Sequence, residues 1–358
     1  MRRARILAGV AVAVVLLGGY ACASIQATGA PASPNADLSV EPSPTAAWGG
    51  GETLSLVTWN LGYAGLGRGS DFFADGGDAY LPPSRRAVVE SRDRIVAWLG
   101  AADADVILTQ ETARASVVNW WVEVKRAVDA ALPGHGQAFY ADFRTRLVPP
   151  PLRIRNGLAT YARTGLTGAE LWPLPEDGDP YAGALRRRYA AVVTRLDGPG
   201  GCWTVVNAHL AAFDKGAALR RRQIQALLAR AEAESRAGHR VLIGGDWNLR
   251  LVPTEFAHTT QAKDLFWVHD FPTDLLPAGW RIAADPTVAS VRTNERPYRP
   301  GENYTAVIDG FILGPGVALE RVQGTDLGFG PSDHQPVRLT VRAEGPPSPA
   351  CPASEAGA

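Results

Sequence analysis

The chain has 358 residues, 46% of them hydrophobic, enough for one large core or two modest ones and too many for a disordered chain. Its 36 basic and 36 acidic side chains balance, so no global basic field directs it to nucleic acid. The three cysteines, Cys22, Cys202 and Cys351, form no C-x-x-C pair and have no zinc spacing.

Arg2, Arg3 and Arg5 precede the apolar run Ile6 to Leu17, then Gly18, Gly19, Tyr20 and Ala21-Cys22-Ala23, the charged, apolar and small-residue order of a secretory signal. Residues 1–23 are therefore expected to export the chain. Either a signal peptide is cut after Ala23, or Gly19-Tyr20-Ala21-Cys22, which resembles a lipobox, leaves Cys22 lipidated. An uncleaved anchor over Ile6 to Ile25 is a third reading, since this stretch is uncharged and nearly long enough to cross a bilayer. The protein is expected outside the cytoplasm, secreted or attached to the outer face of the membrane through its N-terminus. Without the three arginines its charge is about minus three.

Residues 24–51 are rich in Ala, Pro, Ser, Thr and Gly and are expected to form a flexible tether. Residues 344–358, with Pro346, Pro347, Pro349 and Pro352, are expected to be a flexible tail. An oxidising compartment would let Cys202 and Cys351 bridge and pin that tail, two free thiols being the alternative.

Residues 52–343 form one patterned block without linker or repeat. Short β-branched or apolar runs predict strands at Leu54 to Trp59, Val106 to Thr109, Leu158 to Tyr161, Tyr189 to Leu196, Trp203 to Ala208, Val241 to Ile243, Val307 to Leu313 and Val337 to Val341. Helices are expected at Ser84 to Leu99, with a Ser cap and Gly100 as stop, and at Ala217 to Ala237 before Gly238. The gap between Leu196 and Trp203 has no room for a crossover helix, so those strands form a hairpin and the sheets are mixed. The runs Arg85-Arg86, Arg186-Arg187-Arg188 and Arg220-Arg221-Arg222 read as solvated faces, with phosphate binding near a site as the alternative.

The chemistry lies at strand ends. Asn60 can ligate a hard cation through its carbonyl oxygen or steady a neighbouring carboxylate. Glu111, at the mouth of a buried strand, is costly there unless it meets a cation or a donor; metal ligand and surface acid both remain open. Asn207 and His209 are two apart and share one face of a strand, where an imidazolium would stabilise charge building on a phosphoryl group. In Gly244-Gly245-Asp246-Trp247-Asn248 the glycines allow close approach, Asp246 can orient or deprotonate a water, and Asn248 can donate to a phosphate. Asp309 interrupts an apolar strand and needs a partner, for which His334 is the obvious candidate, leaving Asp333 to face a metal.

In this order, over about residues 52–343, these segments resemble the endonuclease/exonuclease/phosphatase superfamily. The resemblance implies an α/β (α+β) fold, a four-layer sandwich of two mixed β-sheets packed face to face with helices outside. It also implies divalent-metal-dependent hydrolysis of a phosphoester, with magnesium as the usual cofactor and manganese or calcium as substitutes. Asn60, Glu111 and Asp333 match the metal positions. His209, Asp246, Asn248, Asp309 and His334 match the catalytic ones, and Asn207, His209 and Asn248 fall on the phosphate side. Whether Asp246 or His334 takes the proton is open. The loop from Gly62 to Gly77 resembles an exported bacterial branch and is expected to shape the pocket. Export, slight acidity and the aromatics Phe72, Phe73, Trp120 and Trp121, for which core packing is the alternative, point to a phosphodiester or phosphomonoester in nucleic acid or a phospholipid head group, handled by a monomer. A non-catalytic surface binding protein is the alternative; a serine esterase lacks its Gly-x-Ser-x-Gly elbow.

Overall fold

The computed structural model describes residues 15–20, 38–45, 48–145, 153–166, 168–177, 187–212 and 214–351. Its architecture follows from strands that carry apolar residues on both faces and so must be covered on both. One sheet has the order β1 (Leu38–Glu41), β4 (Gly136–Arg144), β5 (Arg155–Ala162), β3 (Val106–Ala113), β2 (Thr53–Asn60), β15 (Val337–Ala343), β14 (Val317–Gly324). The other has the order β10 (Arg281–Ala283), β13 (Asp309–Leu313), β9 (Arg240–Asp246), β8 (Gly201–His209), β7 (Ala190–Gly198), β6 (Ala169–Pro173). A short ribbon pairs β11 (Val291–Arg292) with β12 (Thr305–Ala306).

Each sheet has a single parallel pair at its centre, β2 with β3 and β8 with β9, and antiparallel neighbours elsewhere. A parallel pair needs a crossover, and α1 (Arg85–Gly100) and α3 (Ala218–Arg236) supply the two. Ser84 Oγ caps α1 by accepting from Ala87 N. Leu54, Leu56, Val106 and Leu108 of one sheet meet Val192, Trp203, Val205, Leu242 and Phe311 of the other in the central core. The alternate residues face outward: Val57, Trp59 and Ile107 pack under α1 and α2 (Val124–Ala131), while Val206, Val241 and Ile243 pack under Ile224, Leu227 and Leu228 of α3. These are the four expected layers, and the β7–β8 hairpin is present.

Two boundaries change. Part of the expected tether is structured, because Leu38–Glu41 extends the first sheet against β4 and Ser43 N donates to Leu166 O. The expected flexible tail is pinned as far as Cys351: Ser348 N donates to Gly200 O, Cys202 N donates to Pro349 O, and Cys202 and Cys351 form a disulfide. Strands β1, β4, β6, β10 and β14, the β11–β12 ribbon and helix α2 were not among the predicted elements. β14 shows why: it is an edge strand with Glu320, Arg321 and Gln323 facing solvent or half-buried, so its apolar alternation is broken. Of the expected export segment, residues 1–14 and 21–23 lie outside the described residues, and residues 15–20 are helical. Among the described residues no helix is long and apolar enough to cross a membrane.

The disulfide joins residues 149 apart in sequence, so it restricts the unfolded chain strongly. Replacement Cys351→Ser is expected to lower equilibrium stability by about 2–4 kcal/mol in a denaturant titration.

Candidate active site

A cavity of about 470 Å3 opens where β2, β3, β8 and β9 end. The pairings make this convergence unavoidable: His209 lies opposite Asp246 across the β8–β9 pair, Asp309 opposite Asp246 across β9–β13, and Asn60 beside Gln110 across β2–β3. Gly245 has φ 153°, and a Cβ there would sit 1.8 Å from Ala208 O, so only glycine lets β9 approach β8 this closely ahead of Asp246. A bulge between Thr109 and Thr112 turns Glu111 into the cavity at φ 52°, a left-handed conformation shared by the lining residues Tyr63 (φ 43°) and Asn248 (φ 51°).

Asp246 is the hub. Its Oδ2 accepts from Asn60 Nδ2 at 2.9 Å and lies 3.5 Å from His209 Nε2 and 3.7 Å from His334 Nε2; its Oδ1 accepts from Asn248 N at 2.9 Å. Burial pushes the Asp246 carboxyl up to about 6, against the opposing pull of His334. His334 Nδ1 is bonded to Asp309 Oδ2 at 2.8 Å. Burial alone would lower the His334 pKa, but the charges of Asp309 and Asp246 outweigh it and hold it well above the ordinary histidine value. His209 goes the other way: burial, then the positive charges of Arg187 and His334, push it well below that value. The Arg187 guanidinium lies 3.0 Å from His209 Nδ1 and can only donate, which leaves the His209 proton on Nε2, facing Asp246. The surroundings thus favour charge on His334 and a neutral ring at His209, where the sequence reading expects an imidazolium.

The same cavity is rich in hard oxygens. Glu111 and Asp333 line it, and burial, reinforced by Asp333, raises the Glu111 pKa while Arg187 opposes. Arg187 Nη2 donates to Glu111 Oε1 at 2.8 Å and Nη1 to Asp142 Oδ2 at 3.2 Å. Asn294 Nδ2 bridges Asp333 Oδ2 at 2.8 Å and Asp75 Oδ2 at 2.9 Å. Burial lifts Asp75 to about 6, and burial with the charges of Glu111, Asp333 and Asp75 keeps the Tyr63 hydroxyl protonated. Buried carboxylates facing one another need a positive charge, and carboxylate oxygens suit a hard divalent cation. A second group, Asp246, Asp309 and His334, has ligand atoms within 4.8 Å of one another and could also hold a metal ion. The Asp309 bond already engages His334 Nδ1, so this group is better built to handle a proton.

Of the residues foreseen from sequence, Asn60, Glu111, His209, Asp246, Asn248, Asp333 and His334 line the cavity, and Asp309 stands directly behind His334. Asn207 does not reach it: its Oδ1 accepts from Gln110 Nε2, and its Nδ2 donates to Thr109 O and Ala159 O, tying one sheet to the other. Asn60 enters as a donor to Asp246, its own Oδ1 accepting from Gly62 N. Asn248 spends one amide hydrogen on Leu210 O and keeps the other. Tyr63, Asp75 and Asn294 carried no signal in sequence. Arg187 and Arg220 lay in runs read as solvated; Arg220 is fully buried, pairs with Asp214 and donates to Asn248 O and Trp267 O. Buried Trp59 Nε1 likewise donates to His334 O, fixing the backbone of the last histidine.

The family model described as Endonuclease/Exonuclease/phosphatase family matches residues 57–334. Among solved structures, one from Beutenbergia cavernae described as an endonuclease/exonuclease/phosphatase is 18% identical, with 82% of this chain and 72% of that chain covered and a TM-score of 0.55. The D. rerio TDP2 complexed with single strand DNA product is 13% identical, with 82% and 100% covered and a TM-score of 0.52. An endonuclease/exonuclease/phosphatase from Bacteroides vulgatus is 15% identical, with 82% and 99% covered and a TM-score of 0.50. At these identities the likeness is one of fold. No curated protein matches the chain.

The two groups make separable predictions. Glu111→Gln and Asp333→Asn are each expected to weaken manganese binding by at least about 10-fold in calorimetry, whereas His334→Gln changes it far less. Loss of binding in His334→Gln with retention in Glu111→Gln would instead place the cation on the Asp246, Asp309 and His334 group.

Proposed function

The chain belongs to the endonuclease/exonuclease/phosphatase family, and on that premise we propose that it hydrolyses a phosphoester outside the cytoplasm with magnesium as its cation. The family's enzymes are phosphoester hydrolases that depend on a divalent metal. The observation that carries the reading is the Asp309–His334–Asp246 arrangement in one cavity with the Glu111 and Asp333 carboxylates.

Glu111 and Asp333 would hold the cation, which when bound supplies Lewis-acid stabilisation of a phosphate oxygen and the leaving group. The rest falls to side chains. Asp246 Oδ2, held by Asn60 Nδ2 and 3.7 Å from His334 Nε2, takes the proton of a water aligned for in-line attack. The His334 imidazolium and the His209 Nε2–H present donors to the oxygens that gain charge, and Asn248 adds an amide hydrogen. Asp309 keeps His334 protonated and oriented; Asn60 keeps Asp246 in place.

Export is supported by the charged, apolar and small-residue order of residues 1–23 and by a disulfide, which persists in oxidising compartments. For the substrate, nucleic acid and phospholipid head groups are the favoured classes. A structurally similar protein carries a DNA product, and the cavity wall includes Phe72, Phe73 and Tyr80, aromatic surface that suits a base or an acyl-bearing group.

The test is hydrolysis of DNA, RNA, sphingomyelin, phosphoinositides and simple phosphodiesters, with magnesium and then with a chelator. Cleavage of at least one substrate, abolished by the chelator, is expected. Asp246→Asn should lower kcat by about 100- to 10,000-fold while the fold persists. No cleavage across the panel, or cleavage indifferent to the chelator, contradicts the reading.

A further inference from the structure

The cavity is short of positive charge for a site that must receive a phosphate. Asp75, Glu111, Asp246 and Asp333 line it, with Asp142 and Asp309 immediately behind. Among the described residues two arginines and no lysine line the same space, Arg187 and Arg292. Arg292 is committed elsewhere: it is 1% exposed and donates to the carbonyls of Leu66, Gly67, Ser70 and Thr293. It braces the loop after β2, and its remaining Nε is buried. Arg187, with its side chain 21% exposed, is the arginine that faces the cavity.

We propose that Arg187 is a phosphate clamp whose guanidinium rests on Glu111 until a divalent cation takes that carboxylate. The inference rests on the metal role assigned above to Glu111. Arg187 Nη2 donates to Glu111 Oε1 at 2.8 Å, so a cation bound to Glu111 and the guanidinium compete for one carboxylate, and two positive charges repel. Asp142 gives Arg187 a reason to stay: it is 1% exposed, accepts from Nη1 at 3.2 Å, and its Oδ1 is buried without a hydrogen-bond partner. A buried carboxylate with a spare acceptor holds the guanidinium after Glu111 turns to the cation. The backbone there is anchored independently, since Arg188 N donates to Asp142 O and Tyr140 Oη donates to Arg188 O. Release of Nη2 then offers a donor to a phosphate oxygen bridging cation and clamp, beside the His209 donor that Arg187 itself sets.

Two titrations on the full chain test this, with circular dichroism to confirm that each variant is folded. The first adds manganese to the wild type and Arg187→Ala; the second adds inorganic phosphate to the manganese-saturated proteins, including Arg187→Lys. Arg187→Ala is expected to bind manganese several-fold more tightly, because a competitor has left Glu111. It should bind phosphate about 10- to 100-fold more weakly, with Arg187→Lys in between because it keeps the charge and loses the fork. A residue that merely supports Glu111 would give weaker or unchanged manganese binding in Arg187→Ala, and that result overturns the proposal, as does unaltered phosphate affinity. Neither titration needs turnover, so an inactive wild type would count against the hydrolase reading while leaving this one decided by its own data.

Discussion

A carboxylate taken out of water is costly unless donors surround it, and the organisation of this protein turns on one such group. Asp246 is 1% exposed, and its Oδ2 collects Asn60 Nδ2 from the end of β2, His209 Nε2 from the end of β8 and His334 Nε2 from the approach to β15. β2 and β15 belong to one sheet, β8 and β9 to the other. Strand ends from both sheets must therefore meet at a single oxygen, which constrains how the layers pack, where the parallel pairs end, and why glycine precedes Asp246.

The same hub divides the labour of the cavity. Arg187 at one histidine and Asp309 at the other drive two chemically identical side chains to opposite charge states around one base. In the same cavity, Glu111 and Asp333 present carboxylates whose supports are loop residues, Arg187 for one and Asn294 for the other. Proton handling and cation binding thus fall to two groups in one cavity, linked by Arg187, which touches both His209 and Glu111.

Much of this was legible in the sequence because strands with two buried faces leave a continuous apolar trace that ends abruptly. Leu54 to Asn60, Trp203 to His209 and Val241 to Asp246 each run apolar into a polar terminus, and the Asp309–His334 pair follows from the cost of an acid inside Val307 to Leu313. A two-residue spacing gives a face but not a depth, which is why Asn207 was expected on a phosphate and lies instead between the sheets. Asp75 and Asn294 were illegible for another reason: they meet across 219 residues of chain, and no local pattern encodes that. Arg187 and Arg220 looked like their neighbours in runs of arginine; their acid partners, buried Asp142 and half-buried Asp214, distinguish them.

The central claim is that Asp246 acts as a base between a charged and an uncharged histidine. Nitrogen-edited NMR of the histidine rings in the cation-free protein near neutral pH reads this directly. The account predicts His334 protonated on both ring nitrogens, with a strongly deshielded proton in the bond to Asp309, and His209 neutral with its proton on Nε2. A neutral His334, or a charged His209, would contradict it.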